Sequence, residues 1–365
     1  MRWPTRWLTA LLFAVVVLAG VLAQVEGSPH ASHTQALMPP PPPVHSVTTS
    51  VTTRREPARP PQFIVASFDG SGGAQMWAYW RAVARRAQAH FTFFVSGVYL
   101  LDWAHHDRYA PPREPRGDSA IGFAPNTRWI AAMRRQLVLG YREGNEIGTH
   151  FNGHFCGPGG VGSWSAADWG LELDQFDALL FAKPLPFGPS EVVGGRTPCL
   201  EGNLRALDPV LAKRGFRYNA SRIALLGTWP SRRLGLWSVP LLELPFIGHT
   251  FRVVSMDYNF MANQVGEPTS RIENETYRTL WNAFRASYLG RRAPLSLGNH
   301  FETWESWAYD HALTRFLLRA CRLPEVRCAS FKELADWLDG LTQRRLARFR
   351  AGRFPHVRGA ALNRS

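Results

Sequence analysis

The sequence predicts an α/β fold with a parallel sheet, because short apolar runs alternate with amphipathic stretches over residues 62–341. Of the 365 residues, 45% are hydrophobic and 19% are charged, which is a globular balance. Polar side chains that can bind metals or titrate follow several of the predicted strands, at the edge where the chemistry of such folds gathers. We therefore expect one large domain whose sheet is open or closed into a barrel.

Hydrophobic periodicity defines the elements of this domain in chain order. Short apolar runs predict strands at residues 63–68, 91–95, 146–148, 192–194, 216–218 and 294–297. Apolar residues at helical spacing predict helices at residues 75–89, 126–141, 164–181, 204–214, 277–288 and 309–321. Residues 236–254 are β-like and irregular, and residues 331–341 close the domain.

The N-terminal residues 1–23 have the pattern of an export signal. Arg2 and Arg6 precede an apolar run over residues 8–23, which ends in small side chains. The run is shorter than the roughly 20 residues that span a bilayer comfortably, although an uncleaved anchor that tethers the protein to the membrane stays open. With a cleaved signal or with an uncleaved anchor, we expect the domain outside the cytoplasm, either secreted or in the cell envelope.

The segments that flank the domain differ from it in composition. Residues 24–61 form a Pro/Thr-rich linker with five consecutive prolines at 39–43, which predicts a stiff spacer. Residues 342–365 are arginine-rich with almost no apolar period, and we expect a flexible, solvated tail. Contact of this tail with an anionic wall polymer or lipid headgroups is the alternative.

The formal net charge is +14, almost all of it from arginine. Such a surface favours polyanionic partners, but an arginine-rich composition of the whole proteome explains it equally well. No basic stretch interleaves with aromatic residues as in nucleic-acid-binding proteins. We therefore expect no nucleic acid partner, and we expect a monomer.

The four cysteines are even in number, which permits two disulfides in an exported chain. Cys321 and Cys328 are close in sequence and could form a local bridge. Cys156 and Cys199 lie beside the two most glycine-rich motifs. Four small buried side chains are the alternative.

Six polar residues stand at or near the predicted strand ends: Asp69, His150, His154, Arg196, Asn219 and His300. His150 and His154 are four residues apart, so a helical turn would set both imidazoles on one face, where they could bind one divalent metal. Asp69 follows a buried strand and is either a third ligand, a general base or a turn aspartate. Two histidines and a carboxylate with an open coordination position are a common hydrolytic zinc set.

Two further residues have catalytic interpretations. His300 could protonate a leaving amine as a general acid. Arg196 could orient a carboxylate through paired hydrogen bonds. The alternatives are an ordinary histidine and a solvated arginine.

The order and context of these residues resemble the polysaccharide deacetylase family, also called the NodB-homology family. The similarity runs over residues 62–341, and the histidine motif is its most specific part. The matching segments are Ser67-Phe-Asp-Gly70, Phe91-Thr-Phe-Phe-Val-Ser-Gly97, Gly144-Asn-Glu-Ile-Gly-Thr-His150 with His154, Gly195-Arg-Thr-Pro198, Phe216-Arg-Tyr-Asn-Ala-Ser221 and Leu295-Ser-Leu-Gly-Asn-His300.

The resemblance implies a distorted (β/α) barrel and a divalent metal, often zinc. It implies hydrolysis of N-acetyl or O-acetyl groups on a glycan such as peptidoglycan. By position, the metal ligands are His150 and His154, with Asp69 as base or third ligand. Arg196 then orients the base, and His300 is the acid.

The sequence departs from the family pattern at two positions. The family has adjacent aspartates, whereas this chain has Asp69 followed by Gly70. Asn219 stands where an aspartate normally supports the acid histidine, and without that charge we expect His300 to be protonated less often at neutral pH.

Three functions remain open from the sequence. The first is an active metal-dependent deacetylase that acts on an amide or ester. The second is a catalytically impaired glycan-binding member of the same fold, which the two departures favour. The third is a metal-dependent amidase with a non-glycan substrate.

Overall fold

The structure is a computed structural model that describes residues 58–356. The predicted export signal at residues 1–23 and all but the end of the linker at residues 24–61 lie outside the described residues. No helix within residues 58–356 is long and apolar enough to cross a membrane.

The strands are short, with the exception of the first. Numbered in chain order, they are β1 (Gln62–Gly70), β2 (Thr92–Val95), β3 (Glu146–Thr149), β4 (Gly194–Gly195), β5 (Tyr218–Asn219), β6 (Ile223–Leu225), β7 (Ser231–Arg233), β8 (Leu236–Ser238), β9 (Leu241–Pro245), β10 (Arg252–Val254), β11 (Leu295–His300) and β12 (Val326–Cys328).

The main sheet has the strand order β11-β1-β2-β3-β4-β5-β8-β7, and β12 pairs with the start of β1. Its pairs are parallel except for β7 with β8. A smaller sheet, β10-β9-β6, connects to β11 through the bridge between Met256 and Gly298. The predicted α/β class is confirmed, and the curled parallel sheet is the distorted barrel expected from the resemblance.

The helices follow the strands as predicted, and side chains cap several of them. They are α1 (Ala74–Ala87), α2 (Thr127–Arg142), α3 (Ala166–Leu180), α4 (Leu204–Lys213), α5 (Asp257–Met261), α6 (Thr269–Leu289), α7 (Trp304–Ala320), α8 (Phe331–Asp339) and α9 (Gln343–Arg350). Ser165 and Asp168 form a capping box at the start of α3, which satisfies backbone N–H groups that the first turn leaves unpaired.

Strand β1 contacts two separate cores, since its side chains point alternately to the two faces of the sheet. Ile64 and Phe68 pack into the core beneath α1, α6 and α7. Phe63 and Val65 pack into the interior core with residues of α8 and α9. Asp69 has the same parity as Phe63 and Val65, so the strand directs its carboxylate to the interior face.

The prediction of a helical turn between His150 and His154 is wrong. The segment has no helix, and Phe151 and His154 have φ angles of 60° and 61°, in the left-handed region. The glycine-rich sequence after His150 forms a tight loop in place of a helix. The two imidazoles nevertheless lie together, with ring centroids 5.1 Å apart.

The prediction of a flexible tail at residues 342–365 fails over its described part. Residues 343–350 form α9, in which Leu346 and Phe349 are buried in the interior core. The two apolar residues stand three apart and therefore share one helical face. Two apolar residues among many arginines are too weak a pattern to predict a buried helix from the sequence.

We predict that Phe349→Ala lowers the free energy of unfolding by about 3–5 kcal/mol, because it empties a fully buried aromatic site. Chemical denaturation of the purified protein measures the change. The exposed Arg344 on the same helix provides the control, and Arg344→Ala should shift stability by no more than about 0.5 kcal/mol. Equal stability of the two variants would mean that α9 does not pack on the domain.

Candidate active site and metal centre

Strands β1, β3 and β11 end at one cleft of about 420 Å³. Asp69 from β1, His300 from β11 and His150, which directly follows β3, line this cleft together with His154. Asp69 and His300 are register partners on neighbouring parallel strands. The sheet therefore brings together four of the residues that the sequence singled out.

Arg196 follows β4 and lies beneath the cleft with no solvent exposure. Its Nη1 donates to Asp69 Oδ1 at 2.7 Å and to Ser67 Oγ at 2.8 Å. Its guanidinium also lies over the ring of Phe94, at 4.9 Å from the centroid. Arg196 is thus a buried partner of the Asp69 carboxylate, and the alternative of a solvated arginine is wrong.

The Arg196 guanidinium keeps Asp69 ionised. Burial by itself would raise the pKa of Asp69, but Arg196, with further contributions from His150 and His300, holds this pKa below its ordinary value. The carboxylate is therefore negatively charged at neutral pH, and it can accept a proton.

His300 has a carboxylate partner that the sequence reasoning missed. Its Nδ1 donates to Asp257 Oδ1 at 2.7 Å, and its backbone N–H donates to Asp257 Oδ2 at 2.7 Å. Asp257 begins α5, directly after the small sheet, and is 4% exposed. These two hydrogen bonds fix the orientation of the His300 ring, and Nε2 takes no part in them.

The expectation that His300 would be protonated less often is wrong. Burial would lower the pKa of His300, but the charge and hydrogen bond of Asp257, together with the charge of Asp69, raise this pKa above its ordinary value. Asn219 takes no part, because its side chain bonds Asp208 at 2.8 Å and the backbone N–H of Ser221 at 3.0 Å.

The imidazole of His150 is neutral and oriented for ligation. Its Nδ1–H donates to the carbonyl oxygen of Arg196 at 2.8 Å, which leaves a lone pair on Nε2. Burial lowers its pKa to about 3. His154 also has a lowered pKa, mainly through burial, and the two ring centroids lie 5.1 Å apart.

A buried polar network supports the loop that carries both histidines. Tyr109 donates its hydroxyl proton to Glu172 and accepts from the backbone N–H of Gly153 at 3.0 Å. Glu172 also accepts from the backbone N–H of Asn152 at 2.9 Å. A side chain at Gly153 would collide with Tyr109 and Phe155, so this close approach requires glycine.

A disulfide joins the loop after His154 to the loop after Arg196. Cys156 and Cys199 are bonded, and so are Cys321 and Cys328, which confirms the two disulfides that the cysteine count permits and the local bridge between Cys321 and Cys328. The first bond closes a separation of 43 residues and lies two positions beyond His154. It therefore fixes two strand-end loops of the site relative to each other.

The donor set fits a cation in part. Two neutral imidazoles at this separation suit one divalent ion. Among residues 58–356, however, the one trio of potential ligand atoms within 4.8 Å of one another is His154 with Cys156 and Cys199, whose sulfurs are joined as a disulfide. Asp69 is not in such a trio with the two histidines, so its role as third ligand stays a prediction.

Aromatic side chains form much of the remaining wall of the cleft. The cleft is lined by the rings of Tyr99, Trp129, Tyr258, Phe301 and Trp304. Trp304 lies 5.4 Å from His300 between ring centroids, and Tyr258 is 52% exposed. These rings add apolar surface to the cleft that Asp69 and His300 line.

No family model matches the chain, and no curated protein matches it. Among solved structures, a candidate polysaccharide deacetylase from Mycobacterium smegmatis matches with a TM-score of 0.50, 16% identity, and coverage of 77% of this chain and 92% of that chain. The chain has the polysaccharide deacetylase fold. At this identity the likeness shows the deacetylase fold and not the activity.

Two further structures of the deacetylase fold match less closely. The peptidoglycan deacetylase of Bacillus subtilis, solved as a mutant, has a TM-score of 0.43 and 11% identity, with coverage of 80% of this chain and 96% of that chain. A carbohydrate esterase family 4 pseudoenzyme from Bacillus anthracis has a TM-score of 0.42 and 10% identity, with coverage of 76% of this chain and 66% of that chain. The fold assignment rests on the mycobacterial structure, whose score is higher.

We predict that Asp257→Asn lowers the pKa of His300, because the variant loses the anion that stabilises the imidazolium while burial remains. Histidine NMR titration should give a His300 midpoint above 6.5 in the wild type and a lower one in the variant. Asp208→Asn removes a carboxylate that bonds Asn219 instead, and it should leave the midpoint unchanged. An unaltered midpoint in Asp257→Asn would refute the pairing.

Proposed function

We propose that this protein is a hydrolase that removes N- or O-acetyl groups from a glycan outside the cytoplasm. The observation that supports it most is the pairing of Asp69 with His300. They are register partners at one sheet edge, and their partners Arg196 and Asp257 favour a charged carboxylate and a charged imidazole. Groups whose environments set opposite protonation roles are typical of acid–base catalysis.

The chemistry divides between the two groups. Asp69 accepts a proton from water as the oxygen attacks the acetyl carbonyl carbon. His300 Nε2 then donates a proton to the leaving sugar nitrogen or oxygen, and acetate is released. Arg196 keeps the Asp69 carboxylate in place and ionised, whereas Asp257 holds the proton on His300 Nδ1.

A divalent metal is part of this proposal, with zinc as the first choice. His150 and His154 would hold it, and Asp69 is the third candidate ligand. When bound, such an ion supplies Lewis-acid polarisation of the carbonyl oxygen. The neutral state of both imidazoles supports ligation, because a protonated imidazole has no lone pair to donate.

The walls of the cleft support a carbohydrate substrate. Aromatic rings such as Trp304 and Trp129 present flat apolar faces beside polar catalytic groups, and binding sites combine such surfaces with a few oriented polar groups. The two disulfides support an oxidising compartment. Together with the predicted export signal, they favour an acetylated polysaccharide of the cell envelope, such as peptidoglycan.

A glycan-binding protein with impaired catalysis is the second candidate. It is favoured by Gly70, which follows Asp69 directly and has a φ of 78°. By the resemblance, a second carboxylate would stand there, and glycine offers no ligand. The two candidates differ in whether acetate is released and whether a metal is retained.

We predict acetate release by the wild-type protein from at least one of chitin oligomers, peptidoglycan and acetylxylan, assayed with and without added zinc. Asp69→Asn should lower kcat by about 100-fold or more, because it removes the proton acceptor. Asp107→Asn, at an exposed aspartate, is the matched control and should keep full activity. Glycan binding without acetate release by the wild type would favour the second candidate.

We predict that the protein retains about one equivalent of zinc after dialysis, and that His150→Ala abolishes this retention by removing one of two imidazole donors. Elemental analysis of the dialysed proteins measures the metal directly. His356→Ala, at an exposed histidine outside the cleft, is the control and should retain the wild-type amount. A wild type without bound zinc would contradict the metal centre, while leaving acetate release to be judged separately.

A further inference from the structure

A basic groove lies along α7, outside the cleft. We name it the α7 basic groove, and its lining residues are His311, Thr314, Arg315, Leu318, Arg319 and Arg322. The groove is shallow and open to solvent, and none of the lining residues is acidic. It follows α7 from His311 to the helix end at Ala320, over about 14 Å, and Arg322 lies two residues beyond that end.

The arginines of this groove are held in place by aromatic rings of α6. The Arg315 guanidinium lies 3.9 Å from the ring centroid of Tyr277, and that of Arg319 lies 4.0 Å from the ring of Trp281. Arg319 Nη1 also donates to the Tyr277 hydroxyl at 2.9 Å. These contacts orient two guanidinium planes without neutralising their charge.

No carboxylate within residues 58–356 forms an ion pair with Arg315, Arg319 or Arg322. Many other arginines of the domain are paired, as Arg217 is with Asp336 and Asp339. The groove therefore presents three guanidinium groups that have no ion-pair partner within the described residues, on one open face of the domain. Planar guanidinium groups suit carboxylate and phosphate oxygens better than the spherical charge of lysine does.

We infer that the α7 basic groove binds an anionic polysaccharide, a chain that carries carboxylate or phosphodiester groups. The length of the groove suits several sugar residues of an extended polymer. Its positive charge is complementary to the negative charge of such a polymer. A lipid bilayer fits less well, because none of the large apolar side chains exposed in the described region lies on α6 or α7. Peripheral membrane binding generally needs such residues to insert.

Isothermal titration of the full chain with polygalacturonate tests this inference, with the methyl-esterified polymer as an uncharged ligand of the same backbone. The wild type should bind the acidic polymer and not the ester. The double variant R315A/R322A should bind at least about tenfold more weakly, since each charged hydrogen bond contributes substantially. R128A/R135A removes two exposed arginines of α2 and serves as the control for net charge, with affinity unchanged.

Three outcomes would overturn the inference. They are equal losses in the two double variants, equal binding of the methyl ester, and stronger binding to phosphatidylglycerol vesicles than to polygalacturonate. If R315A/R322A does not fold, R315K/R322K retains the charge and should still weaken binding because it loses the planar fork. Because the assay follows binding alone, it stands independently of acetate release.

Discussion

The buried ion pair between Asp69 and Arg196 is the interaction on which the rest of the site depends. Arg196 is fully buried and Asp69 is 4% exposed, so each charge relies on the other for compensation. Loss of one partner from such a pair typically costs about 3–5 kcal/mol, because the remaining charge stays uncompensated. The backbone of Arg196 also accepts from His150, so one residue connects the carboxylate, the imidazole and three strands of the sheet.

The charged groups at the cleft form two pairs, Asp69 with Arg196 and His300 with Asp257. Arg196 favours the deprotonated carboxylate of Asp69, and Asp257 favours the protonated imidazole of His300. Parallel pairing of β1 with β11 sets these two residues opposite each other without any flexible connection. Paired strands therefore position Asp69 and His300, whereas a loop with two left-handed residues positions the histidine pair.

Much of the fold could be predicted from the sequence, because strands buried on both faces and amphipathic helices leave strong periodic signals. The order of Asp69, His150, Arg196 and His300 was also readable, since each stands at or near a strand end. The role of Asp257 could not be predicted, because the strands before it are short and the sequence pattern of residues 236–254 gave no clear element boundaries. Its one available signal was an acidic residue directly after a β-like stretch. The non-helical loop at His154 depends on contacts with Tyr109 and Glu172, which sequence spacing does not reveal.

The bond between Cys156 and Cys199 makes the geometry of the cleft depend on the redox state of its surroundings. The two cysteines are 43 residues apart in sequence. In the chain-entropy model, closing a loop of that length adds about 4 kcal/mol to the free energy of unfolding. Thiol reductants would release the His154 loop from the Arg196 loop while leaving the strands paired. A newly made chain in a reducing cytosol would consequently lack this tie, and its cleft would reach its final shape only after oxidation.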